Sequence, residues 1–141
     1  MLEGRVIGQC TPRHRHQEFL RFLRCRDREF PGKRDLHLIV ANYGTHKHKN
    51  VRAWLAKHPR FHLHFVPTSS SWLNPAEGCF RELTQRRMRR GVFPSVAGLT
   101  GAIQAYLDAY NDEPKPFVWT ASVNEILTKV GRGKAILATL H

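Results

Sequence analysis

The sequence predicts an α/β fold built on a parallel sheet. Three observations carry that prediction: a short apolar run at Leu36–Val40 (LHLIV), an alternating run over residues 61–66 (FHLHFV), and helix-patterned segments between and after them. Strand, helix, strand, helix in this order requires parallel pairing through right-handed crossovers. At 141 residues the chain is one domain's worth, long enough to bury a core. Its apolar fraction of 41% lies slightly below the globular norm, so that core is expected to be modest.

Each element has its own signal. Residues 4–10 read as a short strand, with Val6 and Ile7 bounded by glycines. Residues 14–30 read as a helix: Phe19, Leu20, Leu23 and Phe30 recur at helical spacing, Arg21, Arg24 and Arg28 fall elsewhere around the axis, and Pro31-Gly32 stops it. The LHLIV run is the pattern of a strand buried on both faces. Asn42-Tyr43-Gly44 turns the chain, Thr45 is the expected N-cap of a helix over 46–58, and Val51, Trp54 and Leu55 form its apolar stripe. In the second strand Phe61, Leu63 and Phe65 face one way, His62 and His64 the other. Residues 67–71 are a polar loop. A helix over 74–90 follows, with Pro75 in the first turn, where a missing N–H costs least, and Gly91 as its stop. Ser95 caps a further helix with a stripe of Val96, Leu99, Ile103, Leu107 and Tyr110. Pro114 and Pro116 mark a linker, and residues 121–130 form a last short helix.

Charge narrows the partners. Lysines and arginines number 23 against 11 acids, a formal net charge of +12. Such a balance favours a polyanion, and nucleic acid is the commonest. The densest segment is Arg86-Arg87-Met88-Arg89-Arg90, with Arg81 a turn earlier, and these arginines are candidate phosphate ligands. The arm Arg13-His14-Arg15-His16 is a weaker candidate. Three cysteines at wide spacing, without a C-x-x-C pair, argue against a disulfide framework and a cysteine-bound zinc. No signal peptide or membrane span is recognisable, so a cytoplasmic protein is expected, with no membrane and no small-molecule cofactor.

Chemistry is sought at the carboxyl ends of the parallel strands, where sites form in open α/β sheets. Carboxylates at position 41 and early in the 74–90 helix would bind a hard divalent cation such as Mg²⁺, which takes oxygen ligands. Glu77 suits the second place, because a helix N-terminus favours an anion. Alanine occupies the first. Three His-x-His pairs, at 14/16, 46/48 and 62/64, invite a zinc reading. Only the last shares one strand face, and no third ligand stands at metal-site spacing. Ser69, Ser70 and Ser71 lack the G-x-S-x-G elbow of a hydrolase. Trp72 and Leu73 read as core anchors.

The runs LHLIVANYGTHKHKNVRAWLAKHPRFHLHFVPTSSSWLNPAE and AYLDAYNDEPKPFVWT resemble the catalytic core of DDE-superfamily insertion-sequence transposases related to the mariner elements. The T-H-K and S-W-L-N blocks stand at the family's separation. The resemblance implies a partial RNase H-like core, here assigned to residues 1–112, and the prolines and final helical pattern leave 113–141 as a Pro-containing linker and C-terminal helix. It implies DNA as partner and three acids holding two Mg²⁺ ions for DNA cleavage and strand transfer. Glu77 falls on the third acid and is the expected metal ligand. Ala41 falls on the second, vacant as an acid. Asn42 and His46 belong to the loop beside it, with Lys47 and Lys49 as flanking candidates for nucleic-acid contact. The first acid belongs to a strand with no counterpart here, so the expectation is an incomplete core lacking its first central strand and a catalytically inactive polypeptide. An exposed strand edge would follow, and with it self-association or assembly with an intact transposase. Two other readings are a non-catalytic DNA-binding remnant that modulates an intact transposase, and an interaction module without a nucleic-acid role.

Overall fold

The computed structural model describes residues 4–67, 73, 75–116, 118 and 120–139. They form two compact units, Thr11–Asn74 and the combination of Met1–Cys10 with Pro75–His141.

The first unit is the α/β part. Helix α1 (His16–Glu29) leads to strand β1 (Leu36–Val40), a 3₁₀ turn (Gly44–Lys47), helix α2 (Lys49–Ala56) and strand β2 (Phe61–Phe65). The strands pair in parallel with Leu36 opposite Phe61 and Val40 opposite Phe65. That register stacks Leu36, Leu38, Phe61 and Leu63 on one face. Leu20 and Leu23 of α1 and Val51 of α2 close over them, with Phe19, Trp54 and Leu55 at the margin. Leu23 and Val51 are fully buried. Arg60 ties the periphery together: its guanidinium donates to Asp27 Oδ1 at 2.7 and 3.1 Å, to the Asp27 carbonyl at 2.9 Å and to the Gly32 carbonyl at 3.0 Å.

The opposite sheet face corrects the expectation of a strand buried on both sides. Ile39 is 48% exposed. Beside it lie His37, His62 and His64, with His37 and His64 joined ring nitrogen to ring nitrogen at 2.9 Å. An apolar run of five residues satisfies one packed face; nothing in its composition obliges the other to be covered. Two further corrections concern helix starts. Residues 44–47 wind as a 3₁₀ turn, so α2 begins later than expected and Thr45 is not its cap. His48 is, its Nδ1 accepting the Asn50 N–H at 3.2 Å. Helix α1 begins at His16, where Glu18 accepts the Arg15 N–H at 3.1 Å, one half of a capping box.

The second unit is helical in its described residues: α3 (Pro75–Leu83), a π-helical continuation (Thr84–Met88), α4 (Val96–Asp112) and α5 (Val123–Thr139). Leu83 and Leu107 are its buried apolar side chains. Ser95 caps α4 as expected, accepting the Gly98 N–H at 3.0 Å. The helix expected over 74–90 widens instead at Thr84. The Arg89 N–H reaches back five residues to the Thr84 carbonyl at 3.0 Å, and the Thr84 hydroxyl donates to the Phe80 carbonyl at 2.8 Å. The expected strand over 4–10 is absent among the described residues. Gly4 has φ +64°, which breaks an extended run, and the Val6 N–H and carbonyl are both taken by the side-chain amide of Asn111, at 2.7 and 2.6 Å. A side chain here takes the place of a neighbouring strand. Finally, α5 runs well past the expected end at residue 130. Gly131 and Gly133 each cost about 1 kcal/mol relative to alanine, which weakens a helix without ending it.

Candidate functional site

The candidate site is built around the loop that leaves β1. Val40 closes the strand, its carbonyl accepting the Val66 N–H at 2.9 Å, and Ala41 emerges exposed at the carboxyl end of the parallel pair. The loop then folds back on the Ala41 carbonyl. That oxygen accepts the Tyr43 N–H at 2.7 Å and a proton from His46 Nδ1 at 2.8 Å. A carbonyl can only accept, so this hydrogen bond requires a proton on Nδ1. The His46 ring also lies 4.3 Å from the ring of Phe19 on α1. His46 is therefore a strut that holds the loop closed. Asn42 and Tyr43 are exposed on its outer side.

The basic side of the loop is ordered by similar means. Lys47 holds its ammonium 5.0 Å above the Phe65 ring, and its carbonyl accepts from Arg52 Nε at 3.0 Å. Lys49 opens α2 and is exposed. His16 and His48 stack with centroids 3.5 Å apart, and the Asn50 side-chain amide donates to His16 Nε2 at 3.3 Å. Burial first, then the nearby charges of His16, Lys49 and Arg52, push the His48 imidazole below its ordinary range. A neutral ring is what the cap needs, since protonation would remove the acceptor. The sequence offered no sign of this pairing, because the two histidines meet only through tertiary packing.

Glu77 stands in the first turn of α3, exposed, as expected of an acid placed at a helix start. It belongs to the helical unit and Ala41 to the α/β unit. Arg81 lies on the same helix. Arg86, Arg87, Arg89 and Arg90 occupy the π-helical segment and the turn after it, and all five arginines are exposed. Arg86 is partly neutralised by Glu82, Nε to Oε1 at 3.0 Å. Burial, assisted by the charge of Glu82, pushes the Cys79 thiol up and disfavours a reactive thiolate. Residues 68–72, which include Ser69, Ser70, Ser71 and Trp72, lie outside the described residues; Leu73 is half-buried.

The donor set decides what metal chemistry these residues support. Position 41 offers no side-chain oxygen, and its backbone oxygen already accepts two hydrogen bonds. No group of three or more histidine, cysteine, aspartate or glutamate side chains that could hold a metal ion occurs among the described residues. Among the described residues no donor set fits a two-ion clamp, which needs several oxygen ligands converging on each cation. No described helix is long and apolar enough to cross a membrane.

Comparison with known proteins supplies the family. A model described as DDE superfamily endonuclease matches residues 2–100. The chain is 27% identical over 77 residues to the "Insertion element IS630 uncharacterized 39 kDa protein" of Shigella sonnei, a match covering 55% of this chain and 22% of that protein. The matched region thus spans about a fifth of that relative's length. No solved structure matches the chain. With a family match across residues 2–100, most of the sequence, the chain belongs to the DDE superfamily of endonucleases.

Proposed function

We propose that this polypeptide is a DNA-binding part of a DDE-type insertion-sequence transposase, with an RNase H-like core over 1–112, a C-terminal linker and helix over 113–141, and no cleavage activity of its own. The observation that carries the reading is the loop after β1. It keeps the N-Y-x-T-H-K residues, closes through His46 onto the carbonyl of residue 41, and presents alanine where the family's second acid would stand. Glu77 alone can offer one carboxylate to a metal, and one carboxylate does not hold two Mg²⁺ ions against their hydration. The scaffold of the site and its chemistry are thereby separated.

DNA contact in this reading falls to Lys47, Lys49, Arg81, Arg86, Arg87, Arg89 and Arg90, all basic and none of them buried. Such contacts release counterions, so affinity should fall steeply with salt and depend little on sequence. The chain acts in the cytoplasm, where it can assemble with itself or with an intact transposase.

The test is a supercoiled-plasmid nicking assay with Mg²⁺ beside a DNA-binding titration. The expected result is binding at low salt without nicking above background, and no rescue by Ala41→Asp, because the added carboxylate beside Glu77 still falls short of the oxygen ligands that two Mg²⁺ ions need. Metal-dependent nicking by the unmodified chain would overturn the inactive reading. Absence of salt-sensitive DNA binding would overturn the DNA-binding one.

A further inference from the structure

We infer that the outward face of α1 is a second phosphate-binding surface, formed by Arg21, Arg24 and Arg28 and independent of the arginines that follow α3. The inference rests on the proposed DNA-binding function and adds to it a surface on the α/β unit.

The geometry is that of a ladder. At 3.6 residues per turn, Gln17, Arg21, Arg24 and Arg28 fall within an arc of about 60°. All four are exposed, while Leu20 and Leu23 carry the buried side of the same helix. From Arg21 to Arg28 the axis rises about 10 Å. Duplex DNA presents one phosphate charge per about 1.7 Å of its axis, so a ridge of that length can face several phosphates at once.

Charge pairing within α1 makes the ladder distinctive. The helix holds three acids, and each is engaged elsewhere: Glu18 with Arg15 at 2.8 Å, Asp27 with Arg60 at 2.7 Å, and Glu29 with Arg26 at 2.9 Å. None of these partners belongs to the ladder. Among the described residues Arg21 and Arg24 have no acidic partner. Arg28 makes a 3.5 Å contact from Nη2 to Cys25 Sγ, which orients its guanidinium without neutralising it. A helix whose carboxylates are all committed to other arginines presents three uncompensated cations in a row. Lys33 and Arg34, both exposed, extend the positive surface beyond its end. Guanidinium groups suit phosphate oxygens, since their planar fork donates two parallel hydrogen bonds.

The experiment is fluorescence anisotropy of a labelled DNA duplex with the full chain at several sodium chloride concentrations. The triple variant Arg21→Gln, Arg24→Gln, Arg28→Gln should bind at least tenfold more weakly at low salt. Its log–log salt slope should be shallower by about 2 to 3, close to 0.9 for each phosphate that the variant no longer neutralises. A charge-matched triple on α5, Lys129→Gln, Arg132→Gln, Lys134→Gln, should leave the slope near that of the parent. The single variant Arg24→Gln, expected to lower the slope by about 1, serves if the triple does not fold by circular dichroism. An unchanged slope in the ladder variants, or an equal loss in both triples, overturns the ladder. If the parent binds and only replacement of Arg86, Arg87, Arg89 and Arg90 weakens it, the ladder fails while the proposed function stands. If the parent shows no salt-dependent binding, both fail.

Discussion

Single residues in this chain do unusual duty because several elements lack conventional partners. His48 caps α2 with a ring, Asn111 substitutes for a strand beside Val6, and Arg60 gathers an acid and two carbonyls. Glu18 is the clearest case. The hydrogen-bonded guanidinium of Arg15 holds its carboxyl down at about 2, against an ordinary value of 4.5, in spite of some opposition from burial. Folding therefore favours the ionised form. That contribution is complete above the ordinary carboxyl value and is lost as the pH falls toward 2. Glu18→Gln should accordingly melt lower than the parent near neutral pH. The difference should shrink as pH drops through that window, measured by thermal unfolding at a series of pH values. A difference independent of pH would show that shape, and not charge, matters at this position.

At the scale of elements, termini were harder to read than periodic faces. The strand alternation of β2 and the apolar stripe of α2 were visible as periodicity, because each reports a face that must be buried. The end of α5 and the start of α2 were not, since caps depend on which side chain reaches which N–H. Ser95 is the exception. A short hydroxyl directly before a helical pattern has a local partner, here the Gly98 N–H, and needs no tertiary help. Ser95→Ala should cost about 1 kcal/mol in chemical denaturation. Ser95→Gly should cost only a few tenths. Equal losses for the two would remove the cap from the account of α4. The π-helical segment at Thr84 is the opposite case. Thr84 is an ordinary helix residue in sequence, yet its back-bond to Phe80 accompanies a wider turn that sets where Arg86 and Arg87 emerge.

At the scale of the whole molecule, the α/β unit rests on few side chains. Among the described residues β1 pairs only with β2, and Ile39 and Phe65 are substantially exposed. A short sheet with apolar side chains on show favours pairing with another chain. Thermal unfolding should therefore rise in midpoint with protein concentration. A sharp transition of a monomer, independent of concentration, would count against self-association. Within the unit, Leu23→Ala should cost about 2–5 kcal/mol, since Leu23 is fully buried and its cavity would be lined by Val51 and Phe61, which cannot collapse into it freely. Loss of that order would consume much of the stability of a domain this size.

The sequence by itself determined the α/β class, the order of the main elements, the strongly basic character and the family, because periodicity, net charge and short motifs are local or additive properties. It also fixed alanine, without a side-chain oxygen, at position 41. Tertiary structure alone decided that the loop after β1 closes through His46 onto the Ala41 carbonyl and that three histidines share one exposed sheet face. Ion pairing across α1, including that of Asp27 with distant Arg60, decided which of its arginines are left uncompensated. Each of these depends on side chains arriving at the same place for reasons no short motif records. Periodicity reports which faces are buried; only packing reports what meets there.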